Sequence, residues 1–379
     1  MSTGDIYAIT VPKWGMAMDE GTVVAWYLEE GAPVAVGKEV LEIESTKAAS
    51  AIEAKQGGLL RRRVAAVGAV VPVGGLLGVI ADTAVSENAI EEFIARFQAG
   101  TAAEEVTLSA RPQCISVGER RLNYLDEGTG PAPIILLHGF GGNIDSWLLN
   151  RTALAEGHRV ICVDLPGHGD SDEKMDAGAP KDLAAVILGF MDVLEIEQAH
   201  LVGHSLGGAV AISMAIGWPS RARSLTLIAS AGLGPEIDGE YISGFLAARR
   251  RRDLKSVVAR LFSSDMSISD RMLEDLIRMK RVDGVEAALR RIAEGFFPAG
   301  RQVDVGLKAA LQGMAVPYQV IWGRDDAIIP SRHTAGLSNV SIIDGAGHMP
   351  QMEKPGIVNG LILKFLRSLD DATSASSPA

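Results

Sequence analysis

Two cysteines in 379 residues, Cys114 and Cys162, exclude a disulfide-stapled scaffold. Neither belongs to a C-x-x-C pair or a histidine cluster, so no zinc or other metal site is expected, and both read as reduced, buried thiols. Basic residues are in deficit too: 36 Lys and Arg against 47 Asp and Glu leave a formal charge of −11, which repels phosphate backbones and excludes a nucleic-acid partner. Most of that excess lies early, with 15 acidic against 8 basic residues up to Ala110. The N-terminus lacks a basic run followed by an apolar stretch, so no secretory signal is read there and the cytoplasm is the expected compartment. One uncharged run, Val64 to Ala81, approaches the length of a membrane span, but Gly68, Pro72, Gly74, Gly75 and Gly78 break it into short β-branched pieces, and no membrane segment is expected.

What is present suits a soluble chain of two or three domains. Hydrophobic residues make up 47% and charged residues 22%, values that exclude wholesale disorder. Sliding the sequence by 37 positions lays Gly21 on Gly58, Val23 on Leu60, Gly31 on Gly68, Val34 on Val71, Gly37 on Gly74, Val40 on Leu77 and Ile43 on Ile80. The first eighty residues are therefore two similar halves, each of short strands separated by turn-forming glycines. They predict two small sheets related by a pseudo-twofold axis. Between the halves lies E-I-E-S-T-K-A-A, which a turn would use to present Lys47 to solvent.

The run P-K-W-G-M-A-M-D-E-G, followed by E-E-G-A-P-V and E-S-T-K-A, resembles the lipoyl domains of 2-oxoacid-type dehydrogenase complexes over residues 6–82. The resemblance implies an all-β flattened barrel of the lipoyl/biotinyl type in residues 1–82, with lipoate in amide linkage on Lys47. Thr46 and Ala48 flank that lysine where the related biotin carriers have methionines.

Residues 83–112 change character, becoming rich in Ala, Glu, Ser and Thr. Ile90, Phe93, Ile94 and Phe97 fall at i, i+3, i+4 and i+7, which predicts one amphipathic helix in an acidic linker, capped by Ser86. Such a helix either docks within the chain or binds a partner.

From Gln113 to about 370, apolar runs at 134, 159, 200, 225, 319 and 340 alternate with helical stretches opening near Trp147, Asp182, Gly207, Gly306, Ser331 and Pro355. This predicts a mostly parallel sheet covered on both faces, entered through an antiparallel hairpin at 114–126. Residues 233–300 break the rhythm as a helical lid. Their run Arg249 to Arg252 reads as a solvated face, and Met266, Met272 and Met279 as core filling. Residues 371–379 read as a disordered tail.

G-H-S-L-G at Gly203 to Gly207 follows a strand and opens a helix, the context of a nucleophile elbow, and makes Ser205 the candidate nucleophile. A serine needs a base and an orienting carboxylate, here His348 of G-A-G-H-M-P and Asp325 or Asp326 of G-R-D-D-A-I-I-P. H-G-F-G-G after the strand at 134 offers the Phe140 N–H to an oxyanion, and Leu206 offers a second. Together with D-L-P-G-H-G-D-S at Asp164 to Ser171, these motifs resemble the α/β-hydrolase family, which implies Asp326 as the acid. His138 and His168 read as structural; His168 and Asp172 fit H-x-x-x-D, but Glu173 stands where the acyltransferase signature has glycine.

A lipoyl carrier joined to an α/β-hydrolase domain resembles the dihydrolipoyl acetyltransferase subunits of acetoin dehydrogenase complexes. The resemblance implies acetyl transfer from dihydrolipoyl-Lys47 to CoA through Ser205, alongside a thiamine diphosphate-dependent E1 and a dihydrolipoyl dehydrogenase E3. Two contrasting readings are a serine hydrolase with a tethered carrier, and a carrier or scaffold with an idle hydrolase domain.

Overall fold

The structure, a computed structural model, describes residues 6–11, 20–45, 48–54, 56–95, 97, 111–175, 177–263, 268, 270–303 and 306–375. Lys47 and Thr46, the motif residues 12–19, Met266 and the last four residues lie outside them. The chain divides into two compact units, 1–109 and 110–379.

The first unit holds two four-stranded antiparallel sheets. The strands are β1 (Ile6–Thr10), β2 (Glu20–Trp26), β3 (Pro33–Val34), β4 (Glu39–Ser45), β5 (Ala48–Glu53), β6 (Gly58–Arg63), β7 (Val70–Pro72) and β8 (Leu76–Ala81). One sheet has the order β1-β8-β6-β3 and the other β5-β4-β2-β7, so β8, β6 and β3 occupy the places of their repeats β4, β2 and β7, and β1 fills the place of β5. The backbone repeats as well. Gly31 and Gly68 have φ of 85° and 86°, and Gly37 and Gly74 have 80° and 83°, left-handed values that glycine adopts without steric cost. Val23 with Leu60, Val40 with Leu77, and Ile43 with Ile80 are buried in the core between the sheets. Ile6 pairs with Ala81 at one sheet's end, as Ser45 pairs with Ala48 at the other's.

The amphipathic helix docks on this unit. Helix α1 (87–95) is capped by Ser86, whose Oγ accepts from Ala89 N at 3.2 Å. Its apolar side, Ile90, Phe93 and Ile94, packs with Leu76, Val79 and Ala81 of β8. Glu87 pairs with Arg61 and Arg62, and Glu91 with Arg62. The helix explains why all six residues of β8 are buried whereas β4 leaves Glu39 and Glu44 exposed: β8 is covered on both faces.

In the second unit an eight-stranded sheet has the order β16-β15-β14-β13-β11-β12-β10-β9. Its strands are β9 (Gln113–Val117), β10 (Arg120–Glu127), β11 (Ile134–Leu137), β12 (Val160–Val163), β13 (Ala199–His204), β14 (Ala222–Ile228), β15 (Tyr318–Gly323) and β16 (Val340–Ile343). β9 and β10 form the expected antiparallel hairpin, β10 pairs antiparallel with β12, and the other pairs are parallel. The apolar strands feed two cores: Ile135 and Leu137 enter one, Ile134 and Leu136 the other. The chain steps from β11 to β12 on one side and then to β13 on the other, so the loops after β11 and β13 diverge at a topological switch point, where sheets of this kind bind ligands.

Several expectations change here. Cys162 is buried, but Cys114 is exposed because β9 is the outermost strand. Near Trp147 the helix is a 3-10 turn, Ile144–Trp147, followed by α2 (Arg151–Ala155). At Ser331 there is likewise only a four-residue turn, Ser331–Thr334, since too few residues remain before β16 for a longer helix. After α3 (Pro180–Val193), α4 (Leu206–Gly217) and the lid helices α5 (Gly239–Ala247), α6 (Arg251–Ala259), α7 (Asp270–Lys280) and α8 (Val285–Phe296) comes α9 (Leu307–Gln312). The short α10 (Pro350–Glu353) precedes α11 (Pro355–Ala375), which runs into the segment expected to be a disordered tail; buried Val358, Ile362 and Leu366 anchor it. The lid is closed at its base by a bridge between Glu236 and Arg301. Arg249 and Arg250 are exposed and paired with Glu286 and Asp253, a solvated face. Met279 is buried in the core, and Met272 packs against it.

Candidate active site

β13 enters α4 through a turn so tight that neither flanking glycine has room for a side chain. A Cβ on Gly207 would lie 2.1 Å from Leu137 O, and one on Gly203 would lie 2.3 Å from Gly207 O. Ser205 takes the strain, with φ 53° and ψ −115°, an unusual conformation for a residue with a side chain. Hydrogen bonds hold it there: Ser205 N donates to Ile228 O at 3.0 Å, and Ser205 O accepts from Ala231 N at 3.0 Å. The positive end of α4 begins at the next residue.

His348 follows β16. Its Nδ1–H donates to Asp326 Oδ2 at 2.8 Å, and Asp326 Oδ1 accepts from Ile328 N at 2.8 Å and Ile329 N at 2.9 Å. Both side chains are buried, at 2% and 0% exposure. Asp325 is exposed, so the structure brings Asp326 to the histidine and leaves its neighbour in solvent. The His348 ring lies against that of His204, with centroids 4.9 Å apart, beside the elbow serine. Ser205 Oγ and His348 Nε2 are not hydrogen-bonded to one another.

His204 also fixes the histidine's main chain. Its Nε2–H donates to His348 O at 2.8 Å, and burial pushes its pKa well below the usual imidazole value, keeping it neutral. The loop after β11 comes equally close: a Cβ on Gly139 would lie 3.1 Å from Ser205 Cβ. Among the described residues, neither Phe140 N–H nor Leu206 N–H is spent on a backbone acceptor, so both remain available to an anion beside Ser205. Tyr241 of α5 donates to Phe140 O at 3.1 Å and holds the loop from the lid side.

His138 and His168 are structural, as expected. His138 Nδ1–H donates to Gly139 O at 2.8 Å, and its Nε2 accepts from Leu165 N at 3.0 Å; His168 Nδ1–H donates to Pro166 O at 3.1 Å. Burial lowers their pKa values to about 3 and about 4. Beside them Asp164 accepts from Asn123 Nδ2, Ile144 N and Asp170 N, and burial raises its pKa to about 6. Sequence reasoning missed the roles of His204, Tyr241 and Asp164. His204 had a signal in its place before the serine; Tyr241 had none. Among the described residues no cluster of metal-ligating groups exists and no helix is long and apolar enough to cross a membrane.

The strained serine turn, the buried histidine–carboxylate pair and the parallel sheet define the second unit as an α/β hydrolase fold, and residues 134–361 match the alpha/beta hydrolase family. Residues 7–80 match the biotin/lipoyl family described as biotin-requiring enzyme. The whole arrangement recurs in known proteins. Over 96% of its length the chain is 42% identical to the dihydrolipoyllysine-residue acetyltransferase component of the acetoin cleaving system of Pseudomonas putida, covering 99% of that protein. The component of the same name from Cupriavidus necator is 41% identical over 95% of the chain and 97% of its own length. The chain belongs to this family of acetyltransferase components. Its second unit also resembles 2-hydroxy-6-oxononadienedioate/2-hydroxy-6-oxononatrienedioate hydrolase of Burkholderia vietnamiensis, at 33% identity over 66% of the chain and 92% of that protein.

Proposed function

We propose that the chain is the acetyltransferase component of an acetoin-cleaving multienzyme system, moving acetyl from a dihydrolipoyl carrier on Lys47 to CoA through Ser205, His348 and Asp326. The observation that carries this reading is a lipoyl-type domain in one chain with a hydrolase domain whose buried His348–Asp326 pair lies beside a strained serine. β4 and β5 stay paired as far as Ser45 and Ala48, leaving only Thr46 and Lys47 between them in the chain, which suits a lysine attachment site. Lys47 would hold lipoate in amide linkage, and the attached group supplies the thiol that bears acetyl as a thioester.

Ser205 Oγ attacks the thioester carbonyl as its proton passes to His348 Nε2, a contact that forms when substrate enters. Asp326 orients the ring and stabilises the imidazolium, while Phe140 N–H and Leu206 N–H receive the oxyanion. Collapse breaks the C–S bond, and His348 returns the proton to the departing thiolate. The CoA thiol then gives its proton to His348, attacks the acetyl-serine and releases acetyl-CoA as Ser205 is reprotonated. A thiamine diphosphate-dependent E1 that cleaves acetoin and a dihydrolipoyl dehydrogenase E3 complete the system.

Likeness to 2-hydroxy-6-oxononadienedioate/2-hydroxy-6-oxononatrienedioate hydrolase favours a second outcome, attack by water. Burial of Ser205 and His348, at 5% and 2% exposure, supports transfer instead. The test supplies acetyl-dihydrolipoamide and CoA and measures acetyl-CoA against free acetate. Acetyl-CoA is expected to dominate, and Ser205→Ala to slow its formation by roughly 10³-fold or more. Predominant acetate would establish a hydrolase; an unchanged rate in Ser205→Ala would establish an idle hydrolase domain. Lys47→Arg is expected to abolish output of the reconstituted system and to remove the lipoate mass from the intact chain.

A further inference from the structure

Glu353, in α10, has a carboxylate that reaches two separate parts of the chain. Oε2 accepts from Gly347 N at 2.6 Å, one residue before His348. Oε1 accepts from Ser263 N at 2.9 Å and from Ser263 Oγ at 2.8 Å. Ser263 belongs to the lid, in the turn that follows α6. Two residues earlier, Leu261 O accepts from His348 N at 2.9 Å. The lid turn and the histidine loop also touch directly, since a Cβ on Gly347 would lie 2.7 Å from Ser263 N.

Consecutive amides of the histidine loop are thus satisfied from one lid turn, His348 N directly and Gly347 N through Glu353. The other bonds of His348 come from the body of the domain, His204 on its carbonyl and Asp326 on its ring. We propose that Glu353 is a positioning residue that fastens the lid turn Leu261–Ser263 to the loop carrying His348, so that the general base is aligned only while the lid is seated. The inference rests on the reading of His348 as the base.

The physical reason is the cost of leaving these groups unpaired. Lifting the turn takes Leu261 O away from a buried amide and strips a carboxylate of two donors, and unmade hydrogen bonds of this kind cost more than made ones contribute. The loop therefore moves with the turn or keeps it down. Small displacements of a base reduce rate steeply. A seated lid also excludes water, so alignment and dryness would arrive together.

The test measures labelling of Ser205 in the full-length chain by a fluorophosphonate, following both the limiting rate and the fraction of sites labelled. Glu353→Gln keeps one acceptor oxygen and places an NH₂ where the other stood, so one of the two segments is released. Its limiting rate is expected to fall about tenfold with the labelled fraction unchanged. Ser263→Ala removes only the hydroxyl bond and is expected to slow labelling about threefold. Unchanged rates in both variants, or a smaller labelled fraction reacting at the wild-type rate, would overturn the proposal, the latter because it marks simple misfolding. Should Glu353→Gln not fold, Ser263→Ala decides by the same criteria. His348→Ala separates the two layers: wild-type labelling there would sink the assignment of the base and the positioning role with it, whereas His348-dependent labelling indifferent to Glu353 and Ser263 would sink the positioning role alone.

Discussion

Gly207 stands against the main chain of Leu137, with 2.1 Å between the position of an added Cβ and the Leu137 carbonyl oxygen. Backbone has little freedom to retreat there, because Leu137 ends a central strand. Gly207→Ala is expected to cost about 1–3 kcal/mol of stability through overpacking, read from denaturant unfolding. It should also abolish fluorophosphonate labelling of Ser205, whose conformation depends on that turn. Full labelling in a stable Gly207→Ala protein would contradict the packing described.

Asp325 and Asp326 differ by one position and by their whole environment. Asp326→Asn keeps the shape but stops presenting an acceptor-only group to His348 Nδ1–H, and acetyl transfer is expected to fall by roughly 10⁴-fold. Asp325→Asn, in solvent, should stay close to wild type. Steady-state rates of acetyl-CoA formation distinguish the two, and equal losses would refute the pairing.

Four buried histidines predict acid sensitivity. Burial lowers the pKa of His138 to about 3, of His168 and His200 to about 4, and holds that of His204 well below the usual imidazole value. Below pH 6.5 the unfolded chain takes up protons that the folded chain refuses, so each histidine removes about 1.4 kcal/mol per pH unit until its folded pKa is reached. Asp164 acts in the opposite sense, since its raised pKa adds stability as pH falls from about 6 towards the unfolded value. The histidines outnumber it. The melting temperature of the hydrolase domain should therefore drop between pH 6.5 and 5, and His200→Gln, away from the serine, should make that slope shallower.

Helix α1 should be held by its apolar side and not by its charges. Ile90 is fully buried, and Ile90→Ala is expected to cost about 2–5 kcal/mol. Glu87 is 56% exposed, and Glu87→Gln should leave the helix close to wild type although it removes the charge facing Arg61 and Arg62. Hydrogen exchange over residues 87–95 reads both, and the reverse ranking would refute the assignment.

Much of this was legible in the sequence because it lies in local patterns. The 37-residue offset marked the paired glycines and core positions of the first unit, and apolar runs gave six strands of the second unit's sheet, the entering hairpin the other two. G-H-S-L-G placed Ser205 because its glycines answer a local steric demand. What escaped depends on partners distant in the chain. Nothing near Asp326 says that its neighbour faces solvent, nothing in α1 names β8 as its partner, and Tyr241 lies 101 residues from the carbonyl it holds. Cys114 was misread because an edge strand and an inner strand have similar composition. Residues 371–375 read as tail because small residues continue a helix as readily as they end one.

The duplication in the first unit is incomplete in one instructive place. Where the first half turns from β4 into β5, the second has no turn: β8 leads out towards α1, and the strand filling the partner's place is β1, arriving from the N-terminus. Internal symmetry thus leaves the unit one direct β4-to-β5 connection with no counterpart, because β8 continues towards α1 and pairs with β1 instead of with a strand that follows it.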